Sequence, residues 1–109
     1  MEPVHVRTIG VDEVRDDDHL LDVREDDEWA EGRAPAAVHV PLMEVPARVG
    51  ELPADRRIAV VCRVGGRSAQ ATAYLAAQGY DAVNVEGGML AWQAAGKPLE
   101  GDGDHPVVR

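Results

Sequence analysis

The chain contains 109 residues, a single cysteine and a formal net charge of −9. A chain of this length predicts one domain, and a lone cysteine excludes an internal disulfide and a cysteine-rich zinc site. The sequence has neither a signal-peptide pattern nor a run of about 20 apolar residues, so we expect a cytoplasmic protein that does not enter a membrane.

The negative charge is concentrated near the N-terminus. Residues 12–31 contain eleven of the twenty acidic residues and only two basic ones, Arg15 and Arg24. Such a segment repels nucleic acid, and the basic patch of a nucleic-acid-binding protein is missing. We therefore expect no nucleic-acid partner. We interpret the segment as a solvated acidic surface, with a partner-docking face as the alternative.

Short apolar runs predict β-strands at residues 4–9, 19–23, 36–40, 58–62 and 82–85. Segments of helical character lie at residues 11–15, 25–31, 42–52, 67–78 and 89–95. Repeated alternation of strand and helix predicts an α/β fold with a mainly parallel sheet. The continuous run IAVV at residues 58–61 indicates a strand that is covered on both faces. Residues 99–109 are rich in Gly, Pro and Asp, so we expect one domain over residues 1–98 and then a loosely ordered tail.

The only cysteine lies in the stretch CRVGGRS, residues 62–68. A predicted strand ends at Cys62 and a predicted helix begins near Arg67, so successive backbone amides and a helix N-terminus surround one point, which favours anion binding. The two glycines permit positive φ angles, and the two arginines add positive charge. We therefore expect a binding loop for a small anion that consists of Arg63, Val64, Gly65, Gly66, Arg67 and Ser68.

These surroundings also bear on the chemistry of Cys62. A free thiol has a pKa of about 8.5, and a helix N-terminus with adjacent arginines lowers it. We therefore predict that Cys62 is a nucleophile that is largely ionised at neutral pH. The alternative is an inert cysteine that ends a core strand, since free cysteines are among the most buried residues.

Three stretches of the chain share one pattern of motifs: LLDVREDDEWAEGRAPAAVHVPL at residues 20–42, CRVGGRS at residues 62–68 and NVEGGMLAW at residues 84–92. Together they resemble the rhodanese, or thiosulfate sulfurtransferase, family. The resemblance identifies Cys62 as the sulfur-accepting nucleophile and residues 62–67 as the active-site loop. It also identifies Asp22 and Arg24 as residues that support this loop, and the closing element as Glu86, Gly87, Gly88 and Trp92.

The resemblance implies a three-layer α/β fold, in which a central, mainly parallel sheet of five strands has helices on both faces. It implies that a small anionic sulfur donor such as thiosulfate transfers sulfur to Cys62, and that the resulting persulfide passes it to a thiophilic acceptor such as cyanide, a thiol or a protein. It implies no metal and no organic cofactor. The chain departs from the family pattern at positions that shape the sheet and the pocket rim, namely Arg33, Ala34, Ala36 and His39.

Other functions stay open at this point. Phosphatase or arsenate reductase chemistry uses a cysteine and an arginine separated by five residues, whereas four residues separate Cys62 from Arg67, which makes a narrower loop. A sulfur carrier or partner-binding module with little turnover would use the acidic segment to dock its partner. We interpret His39 as a strand residue, and Trp29 and Trp92 as residues that pack helices against the sheet.

Overall fold

In the computed structural model of the chain, which describes residues 6–109, one sheet contains five strands. They are β1 (Thr8–Ile9), β2 (His19–Asp22), β3 (Val38–His39), β4 (Ile58–Val61) and β5 (Ala82–Val85). All neighbours pair in parallel, in the spatial order β1-β5-β4-β2-β3. The strand predicted at residues 4–9 begins outside the described residues. The predicted α/β fold with a parallel sheet is confirmed.

The helices are α1 (Asp26–Glu31), α2 (Val45–Arg48), α3 (Gly66–Ala77) and α4 (Gly88–Ala94). Short 3-10 turns lie at Val11–Glu13, Leu42–Glu44 and Val49–Glu51. The single helix predicted over residues 42–52 is therefore divided, because Pro46 has no N–H and fits only the first turn of α2. No helix among residues 6–109 is long and apolar enough to cross a membrane.

The core has two layers, one on each face of the sheet. In β4, Ile58 and Val60 belong to one apolar cluster, while Ala59 and Val61 belong to the other, and all four residues are fully buried. Residues of α2 and α3 cover the first face, and residues of α4 cover the second. This arrangement confirms that the strand predicted from the IAVV run is buried on both sides.

The C-terminal residues are packed against the domain, which differs from the loosely ordered tail expected at residues 99–109. The N–H of Val107 donates to the carbonyl oxygen of Glu31 at 3.0 Å, and the N–H of Val108 donates to the side-chain oxygen of Gln93 at 2.8 Å. Val108 is buried in the second apolar cluster. The segment is held because carbonyl groups at the end of α1 need donors, and because Val108 and the partly buried Leu99 pack in the second apolar cluster.

The topology brings three loops to one edge of the sheet, since parallel strands all end at the same edge. The strand β2 ends at Asp22, β4 ends just before Cys62, and β5 ends three residues before Gly88. Backbone hydrogen bonds then join the second and third loops: the N–H of Met89 donates to the carbonyl oxygen of Cys62 at 2.8 Å. The only thiol of the chain therefore lies where three loops converge.

Candidate active site

The sulfur of Cys62 lies at the base of the loop between β4 and α3. The residue is only 1% exposed. The backbone N–H of Gly65 donates a hydrogen bond to Sγ at 3.1 Å, and Ser68 Oγ lies 3.3 Å from the same sulfur. The strand places the sulfur in the first apolar cluster while the loop turns an N–H group toward it, so the buried thiol has polar partners as well as apolar neighbours.

Opposing effects act on the pKa of the Cys62 thiol. Burial raises this pKa, because a thiolate loses solvation in the interior. Hydrogen bonds from the Ser68 hydroxyl and from the amides of Ser68, Gly65 and Val64 act in the other direction. Together they hold the pKa below the ordinary value for a cysteine, which is the direction expected for a nucleophile.

The two glycines of the loop differ in conformation. Gly65 has a φ of +127°, which side-chain-bearing residues rarely adopt, and it precedes the first residue of α3. Gly66 is instead the first helical residue and has no positive φ. The expectation that both glycines supply positive φ angles is therefore correct for Gly65 and wrong for Gly66, because the helix begins one residue earlier than predicted.

The two arginines of the loop also differ. Arg67 forms a bidentate ion pair with Glu28 of α1, with nitrogen–oxygen distances of 2.7 and 2.9 Å. This pair raises the pKa of the Arg67 guanidinium and lowers the pKa of the Glu28 carboxyl. Arg63 is exposed, and its Nε donates to the carbonyl oxygen of Arg109 at 2.7 Å. The positive charge of Arg67 is thus largely compensated, whereas that of Arg63 faces solvent.

Asp22 and Arg24 form a fully buried ion pair at the end of β2, with 2.8 Å between Arg24 Nη2 and Asp22 Oδ2. Arg24 also donates to the carbonyl oxygen of Gly32 at 2.7 Å and to that of Glu28 at 3.4 Å. The pair therefore anchors α1 to the sheet. Within the described part of the chain, the pair forms no hydrogen bond with the cysteine loop itself. It is connected to the loop through α1, because the Glu28 carboxylate of this helix accepts hydrogen bonds from Arg67.

The closing element lies directly beneath the cysteine loop. Gly88, the first residue of α4, has a φ of +53°, and a Cβ atom at this position would overlap the carbonyl oxygen of Cys62. The N–H groups of the next residues, Met89 and Leu90, donate to the carbonyl oxygens of Cys62 and Arg63 at 2.8 and 3.1 Å. The absence of a side chain at Gly88 therefore allows α4 to support the loop backbone.

Asn84 is a site residue that the sequence analysis did not single out. It lies in β5, is 7% exposed, and its Oδ1 accepts a hydrogen bond from the Ser68 hydroxyl at 2.6 Å. Its Nδ2 donates to the carbonyl oxygen of Gly65 at 3.4 Å. A polar residue within the buried strand AVNV was the available signal, because buried polar side chains need partners.

His39, Trp29 and Trp92 form packing contacts and hydrogen bonds within the fold. His39 Nε2 donates to the carbonyl oxygen of Arg24 at 2.7 Å, and its ring stacks on Trp29 with 4.6 Å between the centroids. Trp92 is buried in the second apolar cluster, and its Nε1 donates to the carbonyl oxygen of Pro98 at 2.8 Å. The interpretation of these residues as packing residues is consistent with these contacts.

Comparisons with known proteins place this geometry in a family. The rhodanese-like domain family matches residues 11–95. The YtwF protein of Bacillus subtilis is 46% identical over 80 residues, which cover 73% of this chain and 78% of that protein. A sulfurtransferase of Allochromatium vinosum is 44% identical over 81 residues, covering 73% and 76% of the two chains.

Solved structures agree with the sequence relatives. The crystal structure of a rhodanese-like domain protein from Staphylococcus aureus is 36% identical and superposes with a TM-score of 0.78. The match covers 90% of this chain and 100% of that one. The chain belongs to the family of rhodanese-like domains.

Proposed function

We propose that the protein is a rhodanese-type sulfurtransferase in which Cys62 carries the transferred sulfur as a persulfide. The Cys62 thiolate attacks the outer sulfur of a donor such as thiosulfate, a new S–S bond forms, and the S–S bond of the donor breaks with release of sulfite. Cyanide or another thiophilic acceptor, including a thiol of a protein, then takes the outer sulfur and restores the thiolate. The hydrogen bond from the Gly65 amide to Cys62 Sγ is the observation that carries this proposal.

The burial of the nucleophile supports a donor with a slender reacting end. Because Cys62 is only 1% exposed, a donor must reach the sulfur with a single projecting atom. The outer sulfur of thiosulfate or of a persulfide projects in this way. Backbone amides of Ser68, Gly65 and Val64 already surround the sulfur and can stabilise negative charge that moves outward when the persulfide forms.

The charges around the loop argue against phosphatase or arsenate reductase chemistry. Such chemistry requires an arginine that is free to hold two oxygens of a tetrahedral anion. Here the guanidinium of Arg67 is bound to both carboxylate oxygens of Glu28. With four residues between Cys62 and Arg67, the loop also leaves little room for that anion. Sulfur transfer needs neither feature.

The direct test is the formation of thiocyanate from thiosulfate and cyanide, with Cys62→Ser as the control. We expect thiocyanate from the native protein and none above background from the variant. Intact mass after treatment with thiosulfate should rise by one sulfur atom, and cyanide should remove the added sulfur. The chain has no other thiol, so any such increase reports on Cys62.

The outcomes of this test separate the candidate functions. A stable sulfur adduct that no acceptor removes would indicate a sulfur carrier with little turnover of its own. Cys62-dependent hydrolysis of an aryl phosphate would favour the phosphatase alternative. If neither the adduct nor thiocyanate forms with thiosulfate or with a small-molecule persulfide donor, the proposed sulfur transfer is wrong.

A further inference from the structure

The Ser68 hydroxyl lies between two hydrogen-bond acceptors but has only one proton. Its oxygen is 2.6 Å from Asn84 Oδ1 and 3.3 Å from Cys62 Sγ. Ser68 is 0% exposed, Asn84 is 7% exposed and Cys62 is 1% exposed. Because all three are buried, water does not supply a second hydrogen-bond donor to Asn84 Oδ1 or Cys62 Sγ. When the sulfur is a thiol, its S–H can donate to Ser68 and the hydroxyl can donate to Asn84. When the sulfur is a thiolate, both neighbours of the hydroxyl are acceptors.

The orientation of the Asn84 amide is fixed from the other side. Its Nδ2 donates to the carbonyl oxygen of Gly65, the residue whose own N–H donates to Cys62 Sγ. Rotation of the amide by half a turn would place Oδ1 against this carbonyl oxygen, which is unfavourable because both are acceptors. Asn84 therefore presents an acceptor, and not a donor, to Ser68.

We propose that Asn84 is a positioning residue that holds the Ser68 hydroxyl proton away from Cys62 Sγ whenever this sulfur is uncharged. In the thiol and in the persulfide, Cys62 Sγ carries no negative charge, so the Ser68 hydroxyl continues to donate its hydrogen bond to Asn84 Oδ1. Only the thiolate attracts the Ser68 hydroxyl proton strongly enough to turn it from Asn84 Oδ1 toward Cys62 Sγ. This change breaks the shorter of the two hydrogen bonds of the hydroxyl.

This competition has a consequence for the catalytic cycle, a consequence that rests on the proposed function. A thiolate that competes with Asn84 Oδ1 for the Ser68 hydroxyl is less stabilised than one that receives this hydrogen bond without competition. It is therefore also more basic. A more basic thiolate is a better nucleophile toward the donor and a poorer leaving group when the acceptor removes the outer sulfur. Asn84 thus favours the loaded, persulfide form of the protein over the free thiolate.

Charged groups near the site do not take part in the competition between Asn84 and the thiolate for the Ser68 hydroxyl. Those on the neighbouring elements are Arg63 and Arg67 of the loop, Glu25 and Glu28 at α1, the Asp22–Arg24 pair of β2, and Glu86 after β5. Among the described contacts, none of them forms a side-chain hydrogen bond with Ser68 or Asn84. They are also unchanged in the variants below, so their influence on Cys62 is common to all of these proteins.

The test is a titration of the thiolate by its ultraviolet absorbance, with Cys62→Ser as the blank. In Asn84→Leu the hydroxyl has no competing acceptor, so the midpoint for Cys62 should fall by about one pH unit, the effect of one added hydrogen bond to a charged group. Asn84→Ala should shift it in the same direction and serves if the leucine variant does not fold. In a Ser68→Ala background, substitution of Asn84 should leave the midpoint unchanged.

Thr72→Val is the matched control for packing. Thr72 is buried and its hydroxyl donates to the carbonyl oxygen of Ser68 at 2.7 Å, so this variant disturbs the same turn of α3 without touching Asn84. We expect the native midpoint. The proposal is overturned if the Asn84 variants titrate like the native protein, if their midpoint rises, or if their shift persists without the Ser68 hydroxyl. Since the titration needs no turnover, these results do not depend on whether sulfur transfer itself is confirmed.

Discussion

At the residue scale, the reactivity of Cys62 depends on the Ser68 hydroxyl and on backbone groups that no side-chain deletion can remove. Burial raises the pKa of the thiol, and the hydrogen bonds from Ser68, Gly65 and Val64 reverse this effect. The direction of a backbone N–H changes only with the φ and ψ angles of its neighbours. Gly65, with its φ of +127°, is therefore a position where a single substitution can turn one of these backbone N–H groups away from the sulfur.

Gly65→Ala is expected to impair sulfur transfer much more than Gly66→Ala. A Cβ atom disfavours the φ of Gly65, so relaxation would turn its N–H away from Cys62 Sγ; we expect a loss of about 100-fold in rate, as for the loss of one donor to a reacting anion. Gly66 is helical and has open space at the Cβ position, so alanine there should stabilise the fold by about 0.5–1 kcal/mol. Rates of thiocyanate formation and chemical denaturation measure the two effects. Equal rates in both variants would contradict the role given to Gly65.

At the scale of elements, the N-terminus of α4 supports the cysteine loop from below. Gly88→Ala introduces a Cβ atom that overlaps the carbonyl oxygen of Cys62 in a backbone of positive φ. We expect the free energy of unfolding to fall by roughly 2–4 kcal/mol, with concomitant loss of sulfur transfer.

Gly96→Ala is the matched control for this substitution. Gly96 also has a positive φ, of +73°, but nothing lies within 4 Å of its Cβ position. This variant should lose only about 1 kcal/mol. If denaturation gives the same loss for both variants, the close approach between α4 and the loop contributes nothing to stability.

The ion pair between α1 and α3 predicts a dependence of stability on pH. Arg67 lowers the pKa of the Glu28 carboxyl in the folded protein, so the pair stabilises the fold fully above the unfolded pKa of about 4.3. This contribution is lost as the pH falls through the lower, folded value. Glu28→Gln should therefore reduce the free energy of unfolding by about 1 kcal/mol at pH 7 and by progressively less toward pH 2.

Denaturation midpoints over this pH range test the prediction for Glu28. Glu51→Gln is the control, because the pair of Glu51 with Arg48 is exposed and should contribute nothing measurable. A difference between the native protein and Glu28→Gln that stays constant from neutral to acidic pH would show that the effect does not come from the ion pair.

The elements could largely be predicted from the sequence, whereas their contacts could not. Each strand lies within one of the short runs from which a strand is predicted, and Pro46 limits its helix, so local patterns are sufficient. The partner of Arg67 is Glu28, 39 positions away, and only the packing of α1 beside α3 brings them together. The role of Asn84 similarly requires the register between β4 and β5, in which it pairs with Val60. Hydrophobic periodicity carries no information on either contact.

At the scale of the whole molecule, the C-terminal segment connects the end of α1 to the body of the domain. Val108 is 5% exposed and lies in the same apolar cluster as Trp92, whereas its neighbour Val107 is 48% exposed. The sequence predicts a loose tail because a few apolar residues, scattered among polar residues, Gly and Pro, give no periodic pattern.

Two adjacent substitutions distinguish a packed segment from a loose tail. Val108→Asp buries a charge without a partner and should lower the free energy of unfolding by about 2–4 kcal/mol. Val107→Asp adds the same charge on the surface and should change it by less than about 0.5 kcal/mol. The net charge is identical in the two variants, so any difference in their denaturation midpoints reports on burial at residue 108 alone. If both midpoints equal the native value, the segment does not contribute to the folded domain.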